Sequence, residues 1–281
     1  FPYTTLFRSG VVGVIRGRGP GKTIGIRADM DALPILERTG LDYASQTPGR
    51  MHACGHDGHT AILLGTAKYL AETRNFDGNA VMIFQPAEEG GAGGRAMVEA
   101  GIMDRFGVDE VYGLHNMPGQ DAGSIAMRVG DLMAASDEFN IVVEGQGGHA
   151  AWPQNTVDPV MITAQLITAL HTIVSRDIDP IRSAVLSVTM MQGGEAFNII
   201  PQKVKLTGTV RSLNDEVRDL MEERLKAVTK GIVETFGGKA EVTYRRGYPV
   251  VENTPDETAY AAAIAATVVG EDRVDANVDP K

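Results

Sequence analysis

Five of the six histidines of this chain, its one cysteine and a Glu-Glu pair fall into four short clusters. His52, Cys54, His56 and His59 stand in Met51-His-Ala-Cys-Gly-His-Asp-Gly-His59, and Glu88 and Glu89 in Phe84-Gln-Pro-Ala-Glu-Glu89. His115 stands in Gly113-Leu-His-Asn116, and His149 in Gly147-Gly-His149. Imidazole nitrogen, thiolate and carboxylate are the donors that hold zinc or manganese. A chain poor in histidine that gathers several in one run therefore points to a divalent metal. The bland reading is a polar turn capping the next helix, near Asp57 or Gly58. Against it, Cys54 and His56 are spaced so that both side chains can leave one turn toward one ion. Asp57 could then orient an imidazole, while His52 and His59 read as hydrogen-bonded supports rather than ligands.

Adjacent residues in an extended segment point in opposite directions. One carboxylate of the Glu88-Glu89 pair can ligate while the other faces a metal-activated water, takes its proton and passes it to a leaving group. A solvated acidic turn is the ordinary alternative, but Pro86 before the pair and glycines after it imply close-packed backbone. The run Gly91-Ala-Gly-Gly-Arg-Ala96 superficially matches a dinucleotide fingerprint. It does not come directly after a strand, and two carboxylates beside it repel a pyrophosphate, so an NAD-dependent oxidoreductase is set aside. His149 is open between a loop histidine of no consequence and a group reaching over another domain. His171 lies inside a helical pattern and reads as structural. Asn198, in Phe197-Asn-Ile-Ile-Pro201, and Arg211 read as carboxylate binders or as ordinary surface residues.

These groups need a frame. Strands are expected at 11–15, 23–28, 80–84 and 110–114, with helices at 60–73 and 94–100 between them. Alternating strand and helix argues for an α/β domain with a mixed sheet and helices on both faces. Ligands in such sheets bind beyond the carboxyl ends of the strands. Three of the expected strands end on metal-type donors: Asp29 and Asp31, Glu88 and Glu89, and His115. From about residue 130 the order becomes β-α-β-β-α-β, with strands at 138–144, 184–191, 203–211 and 240–245 and helices at 157–176 and 214–236. That is the ferredoxin-like α+β order, long enough for a separate domain. A last helix at 256–269 is expected to return to the first domain.

With 281 residues the chain can bury one large core or two medium ones. The net charge of −10 offers no basic stripe and argues against nucleic-acid or membrane partners. A single cysteine excludes an internal disulfide and suits a reducing, cytoplasmic setting. Residues 1–9 share no pattern with the rest of the chain and are expected to be a non-native leader, the translation of a sequencing adapter joined to a gene fragment.

The motifs Gly25-Ile-Arg-Ala-Asp-Met-Asp-Ala-Leu-Pro-Ile35, Met51–His59, Phe84–Gly90, Gly113–His115, Gly147–Ala151 and Phe197–Pro201 together resemble the M20 family of metallopeptidases and amidohydrolases. The chain looks like its subgroup of hippurate hydrolases, auxin-conjugate hydrolases and N-acetyl-diaminopimelate deacetylases. The resemblance implies a catalytic domain, residues 10–129 and 247–281, with an inserted lid and dimerisation domain, residues 130–246, through which a homodimer forms. It implies metal ligands at Cys54, His56, Glu89 and His115, two ions of zinc or manganese, and a general base at Glu88. It places Asp31 beside the metals, His149 as a lid histidine polarising the scissile carbonyl, and Asn198 and Arg211 near the substrate's carboxylate. The expected substrate is a small N-acyl amino acid, hippurate-like, with deacetylase and aminoacyl-peptidase as alternatives inside the family and a catalytically inert metal-binding protein outside it. The family's further histidine ligand and a Gly-Ser-Glu-Asp-Phe-like stretch are missing at the end of the chain, so a C-terminally incomplete fragment with weak metal binding and little turnover is expected.

Overall fold

The run from Ala80 to Phe84 is apolar at every position and needs cover on both faces. The computed structural model supplies it. It describes residues 10–280, so the expected leader lies outside the described residues. The chain divides between Asp121 and Ala122 into two compact units. The first holds β1 (Val11–Arg16), β2 (Thr23–Asp29), α1 (His56–Thr73), β3 (Asn79–Gln85), α2 (Gly93–Glu99), α3 (Ile102–Phe106) and β4 (Glu110–Gly113). Its sheet runs β1-β3-β2-β4, with β2 parallel to β3 and β4, and β1 antiparallel to β3. This is the expected mixed sheet. Successive side chains of a strand face opposite ways. Ala80, Met82 and Phe84 accordingly pack with Leu63 and Ala67 of α1, while Val81 and Ile83 pack with Met97 of α2 and Ile102 of α3.

Two departures from expectation bear on the first unit. Helix α1 starts at His56, not at residue 60, after Gly55 in a left-handed conformation (φ 92°). Its first turn is polar, so apolar periodicity could not announce it. The five-residue α3 lies between Gly101 and Gly107 and is too short to carry a period.

The second unit contains β5 (Ile125–Ala126), β6 (Gly130–Met133), β7 (Ala135–Glu144), β8 (Gly148–His149), α4 (Pro159–Thr172), β9 (Ala184–Gly193) and β10 (Ile199–Ile200). It continues with β11 (Lys203–Ser212), α5 (Asp215–Thr235), β12 (Lys239–Arg246), β13 (Val251–Asn253), α6 (Pro255–Val269) and β14 (Val274–Asp275). Strands β12-β7-β11-β9 form one antiparallel sheet in the expected β-α-β-β-α-β order. Its core joins Phe139, Ile141, Leu206 and Val210 of the sheet to Ile162, Leu166 and Leu170 of α4 and to Met221 and Leu225 of α5. Asp158 caps α4 by accepting from the N–H groups of Val160 and Met161, and Asn214 caps α5 by accepting from Val217 N–H. Gly208 is obligatory: a Cβ there would overlap the Phe139 ring and the Ser187 carbonyl oxygen. The flanks of this sheet pair with one another, β6 with β13 and β5 with β14. Among the described residues, no helix is long and apolar enough to cross a membrane.

Candidate metal centre

Because β2, β3 and β4 are parallel, their carboxyl ends share one edge of the sheet. Asp29 closes β2 and Asp31 comes two residues later; Glu88 and Glu89 come just after β3, and His115 just after β4. The amino end of α1 adds His56 and His59, with Cys54 immediately before. The Glu88-Glu89 turn is tight. Ala87 and Ala92 hold positive φ (52° and 53°), uncommon for residues with a side chain, and a Cβ on Gly93 would run into the Pro86 carbonyl oxygen.

Three groups of side chains lie close enough to share an ion: Cys54, His56 and His115; His56, Glu88 and Glu89; and Asp29, His56 and His59. His56 belongs to all three. Its Nδ1 is bonded to the Asp31 carbonyl (2.9 Å), so this nitrogen carries the proton and Nε2 presents a lone pair. That Nε2 is buried without a hydrogen-bond partner among the described residues. Around it stand Asp29 Oδ2 at 3.5 Å and Glu88 Oε2 and Glu89 Oε1, each at 4.0 Å. Cys54 Sγ lies 3.4 Å from His115 Nε2, about the separation of two ligands on one tetrahedral zinc with bonds near 2.0–2.3 Å. An orphaned, buried imidazole nitrogen costs free energy unless something accepts its lone pair. A divalent cation does, and the mixed nitrogen, sulfur and oxygen donors fit one.

The third group is different. Asp29 Oδ2 accepts from Arg27 (2.8 Å), and its Oδ1 accepts from His59 Nδ1 (2.6 Å). His59 Nε2 accepts from Asn116 N–H (3.1 Å). Asp29 and His59 are thus engaged with each other, with Arg27 and with Asn116, while Asp29 Oδ2 also lies 3.5 Å from His56 Nε2. Asp31 braces the cluster twice, through its carbonyl to His56 and through Oδ2, which accepts from Glu89 N–H (2.9 Å).

Electrostatics reflect this crowding. Burial, then the charge of Glu89, pushes the Cys54 thiol up to about 11 without a cation present. Burial and the neighbouring Glu89 carboxylate likewise raise the Glu88 carboxyl above the ordinary range, the direction that suits a proton shuttle near neutrality. Burial would also raise Asp29, but the His59 hydrogen bond and the Arg27 charge outweigh it and hold that carboxyl low.

Other residues singled out from the sequence stand elsewhere. His52 and Asp57 are exposed, so the imidazoles are oriented by Asp29 and Asp31 instead of Asp57. His149, Asn198 and Arg211 belong to the second unit. His149 pairs with Ile199 across β8 and β10, and Ala150 N–H donates to the Asn198 carbonyl (3.0 Å), so these two are neighbours. His149 Nδ1 accepts from Ala151 N–H (3.1 Å), which leaves Nε2 as the proton-bearing nitrogen of the neutral ring. Arg211, on β11, lines a cleft of about 320 Å³ with Met133, Val185, Leu213 and Pro280. Sequence reading gave no role to Arg27, Gly55 or Asn116. Asn116 had one signal, its position directly after His115.

A mixed α/β sheet with a sulfur, nitrogen and carboxylate cluster at its carboxyl edge defines a metal-binding α/β protein. Residues 25–280 match the model of peptidase family M20/M25/M40, and the chain belongs to that family. It is 47% identical over 250 residues to an N-acetyl-L-cysteine deacetylase of Bacillus subtilis (strain 168), a match spanning 89% of this chain and 60% of that relative's length. It is 42% identical over 278 residues to a hippurate hydrolase of Campylobacter jejuni, covering 99% of this chain and 72% of the relative. Among solved structures it resembles a dinuclear metal-binding peptidase of family M20 from Bacillus subtilis, with a TM-score of 0.77 and 36% identity over 99% of this chain and 72% of that one.

Proposed function

We propose that the whole protein is a metal-dependent amidohydrolase that cleaves N-acyl amino acids, hippurate-like ones included, into a carboxylic acid and a free amino acid. The observation that carries this reading is the buried, unpartnered Nε2 of His56 with a thiol, a second imidazole and two carboxylates gathered near it. The names of the similar relatives, a deacetylase and a hippurate hydrolase, support the substrate class. Cys54, His56, Glu89 and His115 would hold two divalent ions, zinc or manganese; the similarity to a dinuclear metal-binding peptidase supports a pair. Bound there, such ions polarise the amide carbonyl and bring the pKa of water toward neutrality.

Glu88 is the proton carrier in this proposal. It takes a proton from the attacking water and delivers it to the departing nitrogen, a role supported by its raised pKa. Asp31 holds His56 and Glu89 in place. His149 donates from Nε2 to the carbonyl oxygen as negative charge develops there, which its Ala151 bond favours. Asn198 and Arg211 recognise the amino acid's carboxylate. Residues 10–129 with 247–281 form the catalytic domain and 130–246 the lid. The pairing of β5 with β14, and the bond from Arg128 to the Val278 carbonyl (3.0 Å), support joining those flanks. A homodimer through the lid fits the open edge of β9, where Val185, Met190 and Met191 are exposed. The single cysteine is in keeping with a cytoplasmic site.

The test is a panel of benzoyl, acetyl and indole-acetyl amino acids assayed on the whole protein with manganese and with zinc. Glu88→Gln is expected to lower turnover by about 10²–10⁴-fold while metal content stays unchanged. Loss of metal instead would exchange the roles of Glu88 and Glu89. Failure of the metal-loaded protein to cleave any member would refute the proposal.

A further inference from the structure

We infer that His59 is a positioning residue that fixes the tautomer and aim of His115 through the peptide groups of Asn116. The inference rests on the metal centre proposed above. His59 is 2% exposed, yet neither of its nitrogens is left for a cation. Nδ1 donates to Asp29 Oδ1 (2.6 Å), a carboxylate that can only accept, so Nε2 of the neutral ring is an acceptor. Asn116 N–H fills that acceptor at 3.1 Å. The Asn116 side-chain Oδ1 stands 2.5 Å from Nε2; turning the amide about, so that Nδ2 takes that place, lets the backbone and side-chain N–H groups share the single Nε2 lone pair.

The other side of Asn116 faces His115. Its carbonyl accepts from His115 Nδ1 (2.6 Å), which places the proton there and leaves Nε2 bare, 3.4 Å from Cys54 Sγ. One residue thus clasps two imidazoles, one by N–H and the other by C=O. The clasp is anchored at both ends. Arg27 holds Asp29, which holds His59; and the Asn116 side chain occupies the space where a Cβ on Gly55 would lie, just before His56. The line Arg27, Asp29, His59, Asn116, His115 therefore runs from the strand end to a ligand position, and His59 is its only link between Asp29 and Asn116 among the described bonds.

The two nitrogens of His59 can be removed separately. His59→Asn keeps a donor toward Asp29 and loses the acceptor for Asn116; His59→Gln keeps an acceptor toward Asn116; His59→Phe loses both. Zinc and manganese titrations of the purified protein are expected to give Kd within about threefold of wild type for His59→Gln and about 10–100-fold weaker for His59→Asn and His59→Phe. Nitrogen-15 spectra of the metal-free protein should show His115 as the Nδ1–H tautomer in wild type and His59→Gln, and as a mixture in His59→Asn. Thermal midpoints of the metal-free variants separate positioning from folding. The inference is overturned if His59→Asn binds metal like wild type, if its His115 tautomer is unchanged, or if affinity merely tracks the midpoint across all three variants. Absence of metal binding by wild type would sink the centre itself, while the metal-free spectra would still judge the His115 tautomer.

Discussion

Asp137 gives the sharpest stability prediction. It lies on β7, 3% exposed, and its carboxylate accepts from four donors. Oδ1 takes Arg218 Nη2 (2.6 Å) and Gly247 N–H (3.0 Å); Oδ2 takes Arg218 Nε (3.0 Å) and the Tyr244 hydroxyl (3.0 Å). Arg218, on α5 and 6% exposed, keeps only the carbonyls of Gly247 and Tyr248 when the carboxylate is gone. Removing one member of a buried pair costs about 3–5 kcal/mol, and the two surviving carbonyls place Asp137→Ala near about 3 kcal/mol. Replacing both charges, as Asp137→Leu with Arg218→Met, takes a partner from the Tyr244 hydroxyl, the Gly247 N–H and the Gly247 carbonyl, while the Tyr248 carbonyl keeps Ser136 N–H, so that pair should sit about 1–3 kcal/mol below wild type. Burial would raise the Asp137 pKa, but Arg218, Gly247 N–H and Tyr244 outweigh it and hold it below 3.8. The folded-state value is depressed. Its stabilisation is therefore present above 3.8 and lost as pH falls through the folded-state value. Urea unfolding monitored by circular dichroism at pH 7 and in steps below 3.8 measures both effects. A cost under about 1 kcal/mol at pH 7, or a gap to wild type that does not narrow in acid, would refute this account of the buried pair.

Two further perturbations probe other parts of the molecule. His149→Ala should lower kcat by about 10²–10³-fold in the whole protein without changing metal content, and equal losses of both would assign it a structural role instead. Gly208→Val should cost about 3 kcal/mol or more in urea unfolding, because the new side chain must displace both the Phe139 ring and the Ser187 carbonyl oxygen. An unchanged midpoint would mean that β11 can shift away from Phe139.

The sequence by itself determined the main element types and which residues carry atoms that could hold a metal. Strand and helix periods are local, so β2, β3, the long strands of the second unit and α5 stand close to where periodicity places them. Donor chemistry is local too, since a thiol, imidazoles and paired carboxylates declare themselves in the residue string. What only the tertiary structure decided is who faces whom. Strand β2 precedes β3 and β4 in the chain yet lies between them in the sheet, which sets Asp29 and Asp31 between the Glu88-Glu89 turn and His115. That order comes from long-range pairing, which no short-range propensity encodes. The same holds for the first turn of α1. Its polar residues conceal a helix start, and the positive φ of Gly55 together with the Asn116 contact reveals it. Asp29 looked like one more strand-end donor until Arg27 and His59 were seen to claim both its oxygens. Residue type tells which atoms can bind; only packing tells which of them are already taken.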